Sequence, residues 1–436
     1  MPSAERHLRE VDLLALALSP RPGAARNAHA EGCPECRRRI EGLAAGREHL
    51  SDLEAISEVR AAAPPLPVPA ALGRLRRTRE EAEALVAAAD VDEERLALAF
   101  GEAAARDGFP EVALQAVQLA SRLALRSPRK AVAFAAGLRD AVSSSKSRAD
   151  LPSRLALAAA NVLESQGLLY VGQAGEASRR ALDGLAGLEL AGAPLLLLSQ
   201  AHYYAGSALW GESRYAEALR HLTEARDGFA EDGQDAWVGR AEAAIGLVHF
   251  SEARFLPALH SFDAALERLD PAVDPGPVAS TQQNRAGILM NLGRLAEARA
   301  AFGAALELAL RAGLMASAAT IRVNLLNLGL DEGAYEDVRA RGEKLVAHCV
   351  REGLAVDAYY ARLALAEAQA ALGNYGPVRD LVEFLRGEAP PEVRDDPDAT
   401  ALLGRLDAGD EEMQGRFRRL RHYLAGRDRA EAVRRA

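Results

Sequence analysis

The sequence predicts an all-α protein, in which a small helical domain at the N-terminus precedes a long α-solenoid of stacked helical hairpins. Only 5% of the 436 residues are aromatic, and the 49% that are hydrophobic are rich in alanine and leucine, a balance that favours helices over strands. A short turn-and-helix motif recurs at an almost constant spacing over more than half of the chain. The length also exceeds one compact core, which indicates several domains or a repeat array.

The N-terminal domain is predicted to span residues 1–60, where apolar residues recur at helical spacing with one interruption at residues 19–23. Four prolines then fall within residues 64–69, a density that no helix interior tolerates. Residues 61–78 are therefore predicted to form a stiff, extended linker. Helical patterns return over residues 79–150, and it stays open at this point whether they contain degenerate repeat units.

The repeat motif follows the pattern Gly-x-Tyr-x-Glu-Ala, with variations, between residues 151 and 390. Its last position is occupied by Ala177, Ala218, Ala258, Ala298, Val338 and Val378. Successive copies are 41, 40, 40, 40 and 40 residues apart, a register that chance does not hold five times. Because one unit cannot bury its apolar face alone, neighbouring units are predicted to stack on each other.

Small and large residues alternate within each unit. In one of them Ala258 opens the second helix, Phe262 follows one turn later, and Gly246 lies twelve residues before Ala258, where a small residue lets two helices cross closely. This pattern resembles the tetratricopeptide repeat, a helix–turn–helix unit that usually has 34 residues. The resemblance covers residues 151–390, and the 40-residue period implies longer helices than usual.

In proteins with such repeats, the first helix of each unit faces an inner groove, and a groove with aromatic and amide side chains suits a peptide or a partner helix. The resemblance places these residues in the groove: Tyr203, Trp210, Arg240, Phe250, Gln283, Met290, Asn327 and Tyr360. The alternative interpretation is that most of them simply pack between repeats.

The N-terminal domain contains a candidate metal site in the segment His29-x3-Cys33-x2-Cys36. Two thiolates at this spacing can reach one ion, and His29 brings an imidazole to a third corner. His7, on the first predicted helix, is the candidate for the fourth ligand. Two imidazoles and two thiolates suit tetrahedral Zn²⁺, and a closed set of four ligands predicts a structural ion. The alternatives are a coincidental spacing or a redox pair.

The same four residues resemble the ligand set of the zinc-binding anti-sigma domain. This resemblance covers residues 1–60 and implies a three-helix fold in which His7, His29, Cys33 and Cys36 hold the ion. In that family, the domain binds an extracytoplasmic-function sigma factor and blocks its polymerase-binding surfaces. Many relatives continue into a membrane helix, whereas this chain continues into a proline-rich segment and repeats.

Several classes of function are not expected from the composition. The net charge of −9 argues against direct DNA binding. No apolar run reaches the roughly 18–20 residues that span a bilayer, and acidic residues near the start argue against a signal peptide, so we expect a cytoplasmic protein without membrane contact. No phosphate-binding glycine loop, Ser–His–Asp order or paired-carboxylate motif is visible, so we expect no enzymatic activity. Residues 391–436 are predicted to form a helical cap with a basic tail.

Two functions fit these observations. In the first, the protein is a cytoplasmic regulator whose zinc domain binds a sigma factor and whose repeats bind a signal peptide or protein. In the second, the repeats are a scaffold for a multiprotein complex, and the zinc domain is structural or a docking module. A third hypothesis is a redox switch, in which oxidation of the zinc thiolates releases the ion.

Overall fold

The computed structural model describes residues 68–91, 93–145, 150–404, 406 and 412–424. The predicted zinc domain, with His7, His29, Cys33 and Cys36, lies outside the described residues. Within the described ranges all regular structure is α-helical, and no helix there is long and apolar enough to cross a bilayer.

The helices are numbered in chain order. Their bounds are α1 Val68–Val91, α2 Glu93–Ala104, α3 Phe109–Arg126, α4 Pro128–Ser144, α5 Leu151–Tyr170, α6 Ala174–Leu190, α7 Leu195–Gly211, α8 Tyr215–Glu231, α9 Asp235–Ser251, α10 Phe255–Arg268, α11 Pro275–Asn291, α12 Leu295–Arg311, α13 Met315–Asp331, α14 Tyr335–Arg351, α15 Ala355–Ala371, α16 Tyr375–Gly387, α17 Pro391–Arg394, α18 Pro397–Gly404 and α19 Met413–Leu424.

Six hairpins, from α5–α6 to α15–α16, form the predicted repeat array. Most of their helices have 17 residues, and turns of three residues, such as 212–214 and 232–234, join them. Two such helices and two such turns make up the 40-residue period. The longer period therefore comes from longer helices, as the sequence predicts, and not from longer loops.

The segment before the array is also helical. Helices α3 and α4 pack against each other, and both pack against α5, in the way that each hairpin packs against the helix that follows it. Helix α1 begins at Val68, so residues 68–78, which were predicted to be an extended linker, are helical. Pro69 is compatible with this helix because it lies in the first turn, where a proline removes no intrahelical hydrogen bond.

The crossing of α9 and α10 is as close as the sequence pattern predicts. A Cβ atom placed on Gly246 would lie 2.8 Å from Cε1 of Phe262, and the Phe262 ring is fully buried. Real Cβ atoms do not approach a ring carbon so closely, so a side chain at this position would have to push the two helices apart.

We expect the G246A variant to lose about 1–3 kcal/mol of stability through this overpacking. The matched control is G287A in α11, because a Cβ atom on Gly287 meets nothing within 4 Å, and alanine in an open helical position is expected to stabilise by about 0.5–1 kcal/mol. Thermal unfolding followed by circular dichroism compares the two. Equal melting temperatures would contradict the close crossing.

Candidate functional site

A cavity of about 860 Å³ lies along α5, α7, α9 and α11, the first helices of four successive hairpins. We call it the groove cavity, and the side of the first helices that lines it the groove face. Its aromatic and polar lining includes Tyr170, Tyr203, Tyr204, Trp210, Trp237, Arg240, Asp274 and Asn284. The first helices thus provide the lining, as expected for the groove of such a repeat array.

The 40-residue register explains both the position and the width of this cavity. Tyr204, Ala244 and Asn284 are 40 residues apart and line it from three successive helices. Ala243 and Ala244 stand one repeat after Tyr203 and Tyr204. Because methyl groups replace two phenol rings there, the space that tyrosines would fill is open.

Trp237 forms a rigid aromatic wall of the cavity. Its ring stacks on Phe229 with ring centroids 5.1 Å apart, and the Phe229 ring is fully buried. Tyr203 meets the same indole edge-on at 5.6 Å. Trp237 therefore presents a pre-ordered apolar surface to the cavity, which lowers the entropic cost of binding a ligand.

Arg240 supplies the positive charge of the cavity. Its guanidinium pairs with Asp274 and lies 4.9 Å from the centroid of the Trp237 ring. The Nε of Arg240 is buried and has no hydrogen-bond partner among the described residues. The Arg240 side chain is 32% exposed as a whole, so its guanidinium can also donate a hydrogen bond to a ligand acceptor in the cavity.

The three tyrosines of the cavity are neutral near pH 7. Burial raises the pKa of Tyr203 to about 12, and burial also raises the pKa of Tyr204 and of Tyr170. A neutral phenol both donates and accepts a hydrogen bond. The cavity thus combines an apolar aromatic surface with a few orienting polar groups.

The residues predicted to lie in the groove have different environments. Tyr203, Trp210 and Arg240 line the cavity. The Phe250 ring packs against Phe255 of α10 with centroids 6.1 Å apart, and Met290, only 7% exposed, belongs to the core of α10–α13.

Gln283 and Asn327 are half-buried and do not line the cavity. Tyr360 meets Tyr359 edge-on and packs with the C-terminal core. The alternative interpretation, packing between repeats, therefore describes Phe250, Met290 and Tyr360. Sequence reasoning missed Tyr204, Trp237, Asp274 and Asn284, although the 40-residue spacing from Tyr204 to Asn284 was a usable signal.

The chain itself covers the groove face of its last hairpin. Leu363 and Glu367 of α15 lie four repeats after Tyr203 and Ser207, which line the cavity. Both are buried, and Leu363 packs in one core with Phe417 and Leu420 of α19. Helix α19 therefore lies on the groove face of α15.

A buried ion-pair network fastens α19 there. Arg421, only 3% exposed, donates from Nε to Glu367 at 2.7 Å and from Nη2 to Asp331 at 3.0 Å. The described part of the C-terminal cap is thus mainly helical. Arg421, which belongs to the predicted basic tail, pairs with acidic residues of the same chain. Tyr360, predicted to face a ligand, packs against this covered region.

A histidine pair lies outside the cavity, between α7 and α8. Nδ1 of His202 is 3.0 Å from Nδ1 of His221. Burial lowers the pKa of His202, and burial together with His202 and Arg220 lowers the pKa of His221 to about 4. The folded chain therefore disfavours the state in which both histidines are protonated.

We expect acidification to destabilise this hairpin. Because the pKa of His221 is lower in the folded chain than its ordinary value of 6.5, the unfolded chain binds more protons between these values. The stability is present above about pH 6.5 and is lost as the pH falls towards 4, and the loss between pH 7 and pH 5 is on the order of 1–2 kcal/mol.

Urea denaturation at both pH values tests this expectation. The H221Q variant should lose less stability on acidification, whereas H260Q, at an exposed histidine of α10, should behave as the parent protein. An H221Q protein that loses as much stability as the parent would contradict the assignment.

No group of three or more His, Cys, Asp or Glu side chains within the described residues has the arrangement of a metal site. The four predicted zinc ligands lie outside these residues.

No family model matches the sequence, and no curated protein does. The apo form of the quorum sensor NprR from B. thuringiensis has a similar structure, with a TM-score of 0.56 and 13% identity over 82% of this chain and 99% of that chain. A STAND-type signal transduction ATPase with a tetratricopeptide repeat sensor, from Pyrococcus horikoshii, has a TM-score of 0.55 and 15% identity over 81% of this chain and 55% of that chain.

A Rap protein complexed with Competence and Sporulation Factor has a TM-score of 0.52 and 14% identity over 75% of this chain and 97% of that chain. At these identities the likeness concerns the fold. The described residues thus form a tetratricopeptide-like helical repeat array.

Proposed function

We propose that the protein is a regulatory repeat scaffold without enzymatic activity, which binds a peptide or an extended segment of a protein partner in the groove cavity. The observation that carries this proposal is the combination of the pre-ordered Trp237 wall with the partly exposed guanidinium of Arg240 beside it. One provides apolar contact area and the other a directed hydrogen bond.

The dimensions of the cavity support a segment rather than a folded domain. A volume of about 860 Å³ falls within the range of ligand sites, roughly 300–1,000 Å³, and accommodates a few side chains. Helix α19 supports the proposal further, because it is an amphipathic segment that docks on the same face of α15, two hairpins beyond α11.

Two of the structurally similar proteins support a regulatory role. One is a quorum sensor, and another was captured in a complex with Competence and Sporulation Factor. We infer a comparable regulatory role for this repeat array.

A peptide-display selection on the full-length protein tests the proposal. We expect enrichment of sequences with aromatic or apolar anchors, and we expect the A243W variant, whose indole fills the cavity, to lose their binding. The matched control is A300W, at an exposed alanine of α12, which should bind normally. No enrichment, or equal binding to A243W and A300W, would refute the proposal.

For residues 1–60 we propose a structural Zn²⁺ held by His7, His29, Cys33 and Cys36, in a domain that binds an extracytoplasmic-function sigma factor. The support is the ligand spacing in the sequence and the resemblance it carries. The alternative role of this domain is a docking module of the scaffold.

Metal analysis of the full-length protein and of C33S tests the ion, with one zinc expected in the parent protein and loss of zinc in the variant. Co-purification with the sigma factors of the source organism tests the partner. A protein that carries zinc but binds none of the sigma factors would support the docking module. A protein without zinc would contradict the proposed structural Zn²⁺ site.

A further inference from the structure

A second cavity, of about 460 Å³, lies between α12 and α14, the second helices of two successive hairpins, and also involves α13. Apolar side chains such as Leu306, Leu326 and Val338 form much of its lining. Met315, at one edge, is 47% exposed and extends the apolar lining to the surface.

Basic side chains surround this apolar lining. Arg322, Arg341, Lys344 and His348 contribute to the cavity, with Asp337 as its acidic residue. Asp337 pairs with Arg341 at 2.8 Å. Arg322 and Lys344 form no ion pair with any described residue, and Nε2 of His348 is buried without a hydrogen-bond partner in the described part of the chain. We call this cavity and its four basic side chains the basic groove.

Two arginines from adjacent helices line the basic groove. Arg322 and Arg341 lie three repeats after His202 and His221, whose ring nitrogens are 3.0 Å apart. Arg322 lines the basic groove from α13, and Arg341 lines it from α14.

The neighbouring hairpins lack this pair of cations. The equivalent positions hold Glu242 and Ser261, Gln282 and Ala301, and Arg362 and Leu381. Two like charges placed together repel each other and are stabilised when an anion lies between them. Because Asp337 already pairs with Arg341, the unpaired positive charge of the basic groove is that of Arg322 and Lys344, in a chain of net charge −9.

We infer that the basic groove binds an acidic amphipathic segment of a protein partner. Apolar side chains of the segment would cover Met315 and the half-buried Leu306, and its carboxylates would pair with Arg322 and Lys344. A free inorganic anion would satisfy the charges but leave the apolar lining in water, so the combination favours a segment that carries both. This surface lies on helices that do not line the groove cavity, and the inference is independent of the function proposed for that cavity.

A fluorescently labelled amphipathic peptide of about 15 residues, with leucines at helical spacing and glutamates beside them, serves as the probe in anisotropy titrations with the full-length protein. Its counterpart with lysines in place of glutamates is the charge control. We expect the glutamate peptide to bind about tenfold more tightly or better, with affinity that falls as salt is added.

The R322E/K344E variant should reverse the preference, binding the lysine peptide more tightly than the glutamate peptide. Because neither residue has an internal ion pair, this variant should fold normally, which circular dichroism checks. The matched variant R126E/R379E, at two exposed arginines outside the basic groove, should retain the preference of the parent protein. Equal binding of both peptides, or an equal loss in the two double variants, would overturn the inference.

Discussion

The R421M variant is expected to lose about 3–5 kcal/mol of unfolding free energy, because the buried carboxylate of Glu367 loses both hydrogen bonds from Arg421. Among the described residues it keeps the longer contact with Arg418, whose Nε lies 3.5 Å away and whose side chain is 46% exposed. Glu367 is 0% exposed and accepts two hydrogen bonds from the Arg421 guanidinium. Asp331 would lose its Arg421 contact as well.

The neighbouring R419M variant is the matched control, since Arg419 is exposed on the same helix and a substitution there should change stability by about 0.5 kcal/mol or less. The double variant R421M/E367Q should recover part of the loss, because the amide that replaces Glu367 carries no charge. Equal unfolding free energies for R421M and R419M would show that the network does not hold α19 in place.

Repeat arrays often unfold in parts, so a single global transition is not a sufficient readout. Hydrogen exchange localises the effect of R421M: amides of α15 and α19 should exchange faster, and those of α7 and α8 should not change. This pattern would also establish whether α19 leaves the groove face of α15 without unfolding the rest of the array.

The sequence predicts the repeat array well because the stacking of hairpins depends on local patterns. The spacing of the motif ending at Ala258 and Ala298 reflects helix length and turn length, which neighbouring residues determine. The same register brings Tyr203 and Arg240 to one face, and the sequence therefore locates part of the cavity lining.

The position of α19 could not be predicted in this way. The contacts of Arg421 with Glu367 and Asp331 join residues 54 and 90 positions apart, and no period of the sequence connects them. Such pairing depends on how the last hairpin and the C-terminal segment pack together. For the same reason the sequence assigned Tyr360 to an open groove, although the chain itself occupies that region.

The width of the groove cavity could not be predicted from the sequence either. It results from two alanines, Ala243 and Ala244, that lie one repeat after Tyr203 and Tyr204. Smaller side chains leave a cavity only if the backbones of the successive repeats take equivalent positions, and the sequence does not show this. Trp237 was missed because its function as a wall depends on the stack with Phe229 across a turn.

The second large effect concerns that wall. A ligand selected on the full-length protein is expected to bind W237A about 30-fold more weakly, a loss of about 2 kcal/mol, since truncation of a central, desolvated tryptophan removes the anchor on which the surrounding contacts depend. W237F should retain part of the affinity, because a smaller ring still stacks on Phe229 and Tyr203.

The control for this prediction is Y375A, which removes an exposed aromatic side chain of α16 outside the groove cavity and should leave the affinity unchanged. Thermal unfolding of W237A must accompany the titration, because the indole also supports the packing of Phe229. A graded order, with the parent protein tightest, W237F intermediate and W237A weakest at comparable folded fractions, separates a binding contact from a packing defect. If W237A and Y375A bind the ligand equally well, the aromatic wall does not contact it and the groove cavity is not its binding site.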